Sequence, residues 1–394
     1  MTTLLLPGEL AAALELRDLS DPADGPHAMQ ILLDDAVAAL SARWRCAVDL
    51  RRPRAVVSVE DNYDRLGYSP AAATRDGRYS RYVSDTVMLR SHTSAGIPPA
   101  LRELARGADI PADVLLVRPG LVHRRDVIDR LHVGTPHQVD LWRIVQGRVG
   151  VDDLRTMAAA LVEALLPGAA WRMVPAEHPY TIHGSQVDVD RDGRWVELAE
   201  CGVASPDVLA AAGLDPARWS GLAVGLGLDR ALMLRKHVPD IRLLRASDPR
   251  VAGQMRDLTP WQPVSMMPPV RRDLSIVTPT PDEELLGDLA RTALGSAADV
   301  LESLTVLTRT AHDDLPPHVQ ERLGSRPGLT NVLLRMVLRP IDRTLTDTEA
   351  NRLRDQVHAV LDALASRHHA HPGCAVGMAG HVHGLSSMRT TGLS

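Results

Sequence analysis

Gly221-Leu-Ala-Val-Gly-Leu-Gly-Leu-Asp-Arg-Ala-Leu-Met-Leu234 reads as a strand that runs through glycines into a helix. Residues 221–225 have strand character, and Asp229 to His237 has helical spacing. Gly225 and Gly227 remove side chains where a ligand can approach backbone closely, and Arg230 adds a positive charge at the helix start. Three more polar segments precede it in order: Ser91-His-Thr-Ser94, Arg124-Arg-Asp126 and His137-Gln-Val-Asp140. Together the four segments supply two arginines suited to a polyphosphate, a polar bracket suited to an amino acid, and a glycine-rich floor.

The surrounding pattern predicts many antiparallel strands with helices outside, an α+β layer fold and not a βαβ repeat. An amphipathic helix is expected over 27–45, through Ile31, Leu32, Ala36, Leu40 and Trp44, and a strand over 53–60. Residues 61–84 are polar and turn-rich, which predicts a long surface loop. Leu101 to Arg106 reads as a short helix, and Val114 to Val117 with Leu121 to Arg124 reads as a hairpin around Pro119-Gly120. Strands follow at Gln138–Gln146, Trp171–Val174, Gln186–Val189 and Arg194–Ala199, the last two joined by the turn signal Asp190-Arg-Asp-Gly193. A helix over 152–166 stops at Pro167-Gly168.

A Pro- and Met-rich break at 249–268 separates a second unit of strand, helix, two strands and helix, a βαββαβ-like order that suggests a small ferredoxin-like domain. The expected layout is an N-terminal extension (1–26), a main domain (27–250), a linker (251–267), a second domain (268–366) and a histidine-rich tail (367–394) expected to be disordered.

The chain has 394 residues, 45% hydrophobic and 24% charged, with a net charge of −5. Nucleic acid would then meet a local basic face and not a bulk positive charge. Cys46, Cys201 and Cys374 form no CxxC pair, which speaks against a structural zinc site. The start of the chain lacks a basic n-region and no apolar run is long enough for a membrane span, so no membrane association is expected and a cytoplasmic location is. Lys236 is the only lysine and phenylalanine is absent, where ordinary usage gives on the order of a dozen. Coding bias accounts for the lysine count but poorly for the missing phenylalanine, which has a codon ending in C.

Met88–Ala95, Val122–Asp129, Trp195–Gly202, Gly221–Leu234 and Pro268–Ser275, with Arg343-Thr-Leu-Thr346, resemble phenylalanyl-tRNA synthetase of class II over residues 25 to 365. The likeness is to the single-chain organellar form, which carries a ferredoxin-like anticodon-binding domain. It implies ATP-dependent activation of an amino acid with Mg²⁺, transfer to tRNA, and a monomer or a homodimer. By the same resemblance Arg124 and Arg230 are catalytic arginines, with Asp126, His132, Pro136 and Gly227 completing the ATP site. His92, Ser94, Gln138, Asp140, His178, Tyr180, Thr181, Glu200, Ala223 and Gly225 correspond to the amino acid site. Glu197 corresponds to a magnesium ligand, and Arg271, Arg272, Arg335, Arg339 and Arg343 are the candidates for tRNA contact.

Departures concentrate in the amino acid pocket. Asp140 stands where the family has Glu, His178-Pro179-Tyr180 where it has Phe-Pro-Phe, Glu200 where it has Gly, and Pro136 where it has an adenine-stacking Phe. Ile182 occupies a position that some relatives fill with a carboxylate. A carboxylate and an imidazole beside an aromatic pocket are costly unless paired. They either serve a polar group on the substrate or pair with each other. The expected substrate is phenylalanine or a polar analogue. The rival reading is a paralogue that does not charge tRNA, either a sensor, a biosynthetic enzyme or a self-resistance protein.

Overall fold

The computed structural model describes residues 4–77, 79–107, 111–124, 129–264, 267–279, 281–341 and 343–367. Its strands in chain order begin with β1 (Ala47–Leu50), β2 (Val56–Ser58), β3 (Arg81–Tyr82), β4 (Val87–Leu89), β5 (Asp113–Leu121) and β6 (His137–Gln146). They continue as β7 (Trp171–Pro175), β8 (Thr181–Arg191), β9 (Arg194–Ala204), β10 (Trp219–Gly227), β11 (Val270–Thr278), β12 (Leu301–Ala311) and β13 (Thr330–Leu338). Seven of them make one sheet in the order β1-β5-β6-β10-β9-β8-β7, antiparallel except where β1 meets β5. A three-stranded sheet, β2-β4-β3, carries the segment that enters the site.

Apolar residues at helical spacing decide which face of the large sheet is covered. Helix Ala28–Trp44 buries Ala28, Met29, Leu32, Leu33, Ala36 and Leu40. Helix Val151–Leu165 buries Leu154, Met157, Ala158, Leu161, Val162 and Leu165, and Asp153 at its start accepts the Gly150 N–H at 2.9 Å. Both pack with helix Leu228–Lys236 into the main core. The opposite face is covered in part by a second apolar cluster, in which Ile97, Leu101, Val208 and Leu209 pack on Leu116, Trp142, Trp219 and Ala223.

Three expectations change. Pro119-Gly120 makes no turn, because β5 runs straight through it, with Pro119 opposite Val139 and Gly120 opposite Gln138. β1 ends opposite Val117, so no neighbour on that side asks for the N–H that Pro119 lacks. Gly120 (φ +138°) serves close approach: a Cβ there would lie 2.1 Å from an Arg90 guanidinium nitrogen. The true hairpin arms are β5 and β6.

The expected surface loop over 61–84 holds only in part: 69–71, 73, 74 and 76 are exposed, but the stretch is anchored by buried residues. Tyr63 and Leu66 are fully buried, and the Tyr63 and Tyr82 hydroxyls donate to the Thr74 and Arg75 carbonyls at 2.7 and 2.6 Å. Part of the polar groups that suggested solvent is consumed internally, while Asp64, Ser69, Thr74 and Asp76 stay exposed. The break after 249 contains helix Pro249–Gln254, whose Val251 enters the main core. There the buried Lys236 ammonium donates to the Asp257 and Thr259 carbonyls at 2.7 and 2.6 Å.

The C-terminal sheet has the order β11-β13-β12, with helices Glu283–Leu294 and Asp347–Arg367 packed on it around a separate apolar cluster. A fourth strand and the histidine-rich tail would fall in 368–394, outside the described residues. Glu302 of this unit is buried and is reached by Arg130 (2.7 Å) and Arg242 (3.7 Å) of the first unit and by Arg339 (2.7 Å) of its own. No helix among the described residues is long and apolar enough to cross a membrane.

Candidate active site

Register builds the floor of the site. β10 lies between β6 and β9, which places Gly225 opposite Asp140 on one side and opposite Glu200 on the other. Ala223 lies opposite Trp142 and Gly202 in the same way, and Gly227 opposite Gln138. Directly opposed residues share a face, so Gly225 and Ala223 form a trough between the side chains of the flanking strands. A Cβ at Gly225 would come no closer than 4.0 Å to any atom, the backbone oxygen of Glu200. Gly202 is glycine for a different reason: a Cβ there would meet Thr181 at 2.5 Å, so Thr181 is wedged against β9.

Asp140 is 2% exposed, and its two oxygens take three neutral donors. Trp142 Nε1 donates to Oδ1 at 2.9 Å, and the Thr93 and Ser94 hydroxyls donate to Oδ2 at 2.7 and 3.1 Å. Burial pushes its carboxyl up to about 6, with these hydrogen bonds and the more distant Arg90 pulling the other way. None of the three contacting donors is a cation.

Aromatic rings wall the trough. Tyr180 stacks on Trp142 (5.8 Å, 29°), and Tyr68 stacks on His92 (5.5 Å, 20°). Tyr63 meets His92 edge-on at 6.0 Å, and Tyr68 tilts toward Tyr180 at 6.3 Å. Both His92 ring nitrogens are buried without a hydrogen bond. Burial, then the neighbouring Arg124, lowers its pKa to about 4, so the ring is neutral at pH 7. His178 lies beside Tyr180 (5.8 Å), with Nε2 3.2 Å from a Glu200 oxygen but off the hydrogen-bond direction. The pairing that the sequence left as one of two possibilities is therefore present, though loosely aligned.

Beyond the trough stand the arginines. Residues 122–124 pair with 134–136 through Val122 N–H to Pro136 O (2.9 Å) and Arg124 N–H to Gly134 O (3.0 Å). Arg124 and Pro136 thus sit on the arms that prolong β5 and β6. The Arg124 charge acts on His92, Glu197 and Glu200. Asp126 lies outside the described residues.

Arg230 lies between two partners, with Nη2 3.3 Å from His132 Nε2 and Nη1 3.3 Å from the Glu197 carbonyl and 3.7 Å from its carboxylate. His132 Nδ1 is 2.8 Å from Asp129. An Nε2 that accepts from an arginine leaves the ring proton on Nδ1, facing the carboxylate. A register shift inserts Leu198 between Ala199, opposite Val187, and Glu197, opposite Asp188. The bulge turns Glu197 and Glu200, three residues apart, to the same face. Burial raises the Glu197 carboxyl pKa, while Arg230 opposes it. Among the described residues no group of three or more His, Cys, Asp or Glu side chains is arranged around a metal site. Glu197, near Arg230 and open on one side, fits a cation that is already held by phosphates.

Four of the five C-terminal arginines face carboxylates of their own unit. Arg272 bonds Asn351 and Asp347 (2.7 and 2.6 Å), Arg335 bonds Asp273 twice at 2.8 Å, and Arg343 bonds Glu349 at 3.0 Å. Arg339 faces Glu302, and Arg271 is exposed. Trp142, Thr93 and Tyr68 are site residues absent from the sequence-based set. Trp142 continues the two-residue spacing of Gln138 and Asp140, which was the signal for it. Thr93 was flanked by His92 and Ser94 but not singled out. Nothing local marked Tyr68.

The family described as tRNA synthetases class II core domain (F) matches residues 50–255. The chain is 37% identical over 193 residues to the phenylalanine–tRNA ligase alpha subunit of Prochlorococcus marinus (strain MIT 9313), covering 49% of this chain and 56% of that one. It is 25% identical over 382 residues to the mitochondrial phenylalanine–tRNA ligase of Saccharomyces cerevisiae, covering 77% and 79%. A solved pyrrolysyl tRNA synthetase from Desulfitobacterium hafniense superposes with a TM-score of 0.42 at 16% identity, over 56% of this chain and 73% of that one. The chain spans about half the length of the alpha subunits it matches. With a match over more than half of its residues, the chain belongs to the class II tRNA synthetase core family of the (F) group.

Proposed function

We propose that the protein activates an aromatic amino acid with ATP as the aminoacyl-adenylate and passes the acyl group to tRNA. The observation that carries this reading is a buried carboxylate, Asp140, whose contacts are all neutral donors, set in a trough with aromatic walls on one side and two arginines beyond. The α-ammonium supplies the missing cation at Asp140, with Gln138 and Ser94 beside it. The ring enters between Tyr180, Tyr68 and the Ala223–Gly225 floor.

The amino acid carboxylate then attacks the α-phosphate and pyrophosphate leaves. Arg124 holds the carboxylate and α-phosphate together, and Arg230 takes the phosphate tail. His132 and Glu197 fix the Arg230 fork before substrate arrives, so little reorganisation is needed. Glu197 would hold magnesium on the ATP phosphates, where the ion supplies further charge neutralisation. Residues 268–366 serve as a ferredoxin-like anticodon-binding domain in this reading, with exposed Arg271 as its freest basic contact.

ATP–pyrophosphate exchange over a panel of amino acids tests the assignment. Exchange is expected with an aromatic amino acid, reduced about 100-fold in Arg230→Ala. Inactivity with every amino acid overturns it. A second reading, loading of an acceptor other than tRNA, is favoured by the internal pairing of Arg272, Arg335, Arg339 and Arg343. Exchange without charging of phenylalanine tRNA selects that reading.

A further inference from the structure

We infer that Glu200, with His178, selects an amino acid whose ring carries a hydrogen-bond donor, a hydroxyl or an amine, over phenylalanine itself. The inference rests on the proposed adenylate chemistry and concerns the same trough. Its basis is a surplus of negative charge. Asp140 and Glu200 occupy one row of the sheet on either side of Gly225, two strand spacings or about 10 Å apart. A phenylalanine substrate brings a single cation, the α-ammonium, and Asp140 meets that need. Glu200 is then left facing an apolar ring.

Glu200 is no bystander at the rim. Its charge acts on Tyr68, Tyr180 and His92, which line the wall, and it lies beside Cys201 on β9. His178 is its nearest partner and holds its carboxyl below the usual range, so Glu200 is ionised at pH 7. His178 does not use up the carboxylate, because the 3.2 Å approach is poorly aligned and the Glu200 side chain keeps 47% of its exposure. An apolar ring would strip water from that carboxylate and return nothing, whereas a ring donor completes it. Sites built to bond a substrate hydroxyl reject the analogue that lacks it far more strongly than apolar pockets reject a missing methylene. The Tyr68 and Tyr180 rings keep the slot suited to an aromatic frame.

The test uses the full chain and non-hydrolysable aminoacyl-sulfamoyl adenosines carrying phenylalanine, meta-tyrosine, tyrosine or 4-aminophenylalanine. Their affinities are measured by calorimetry for the wild type, Glu200→Gln, Glu200→Gly and His178→Phe. The wild type is expected to bind at least one donor-bearing ligand about 30-fold more tightly than the phenylalanyl ligand. Glu200→Gly should abolish that preference, and Glu200→Gln should keep part of it. Equal or tighter binding of the phenylalanyl ligand by the wild type, or a preference that survives Glu200→Gly, overturns the inference while leaving the adenylate chemistry intact. Failure of all four ligands to bind removes the chemistry and this inference with it. If Glu200→Gly does not fold, the wild-type ranking and Glu200→Gln still decide.

Discussion

Asp140 holds the site's chemistry at the scale of one residue. Its carboxylate is kept from water by Trp142, Thr93 and Ser94, and burial raises its pKa to about 6. A proton and a substrate ammonium compete for the same oxygens, so the bound ammonium lowers this pKa and binding releases a proton below about pH 6. Amino acid affinity should rise with pH up to about 6 and level off above it. Below that point it should fall up to tenfold per pH unit. Calorimetry between pH 5 and 7.5 reads the slope, and Asp140→Asn should give weak binding without it. The ligand-free protein shows the converse: this raised pKa favours the folded state at low pH, and that contribution is lost as pH rises through about 6. How much of such a site is legible depends on whether its residues share a strand. Gln138, Asp140 and Trp142 follow the two-residue period and could be placed on one face from sequence. Glu197 and Glu200 break that period, because the inserted Leu198 exists only in the register between strands. Tyr68 was invisible since its partners His92 and Tyr180 come from distant segments.

Elements hold these residues through a second buried pair behind the arginines. Asp229, one residue before Arg230, accepts from the His137 backbone N–H and lies 3.0 Å from the ring Nδ1. The other ring nitrogen accepts from the Leu19 N–H (3.0 Å) and meets Arg245 (3.2 Å), so the proton sits on Nδ1 and faces Asp229. The start of β6 is thereby tied to the start of helix Leu228–Lys236 and to the N-terminal segment. Asp229→Ala leaves two buried donors of His137 without an acceptor. Stability should drop by about 3 kcal/mol in denaturant unfolding, and the ATP KM should rise because Arg230 loses its anchored neighbour. An unchanged unfolding midpoint would refute the tie. Strands and helices with regular apolar spacing, such as β6, β13 and helix Val151–Leu165, were readable from sequence within a residue or two. Pro119-Gly120 misled because a Pro-Gly pair is a strong local turn signal. The competing demand, room for the Arg90 guanidinium, comes from a residue thirty positions away.

At the scale of the whole molecule, the main core and the C-terminal core belong to two units that meet across a polar seam, and the seam reaches the loop that carries His132. Helix Glu283–Leu294 supplies Asp288, which pairs with Arg81, and Arg291, which donates to the His132 carbonyl at 3.2 Å. Tyr79 donates to Asp282 at 3.1 Å. The loop that presents His132 to Arg230 is thus braced from outside by the C-terminal unit. Glu302 is the seam's centre, 5% exposed and facing Arg130, Arg242 and Arg339. Removing a buried partner from such a set costs more than the pairing contributed, since the remaining charges stay desolvated. Glu302→Ala should therefore lower stability by about 3 kcal/mol and loosen the C-terminal unit, seen as a larger radius of gyration in solution scattering and faster proteolysis near 256–269. Adenylate formation should fall less than tenfold, because Arg124, Arg230 and Asp140 lie in the other unit and lose only the brace on His132. A Glu302→Ala protein that keeps its compactness and protease resistance would mean that the apolar contacts, not the arginine–glutamate set, hold the two units together.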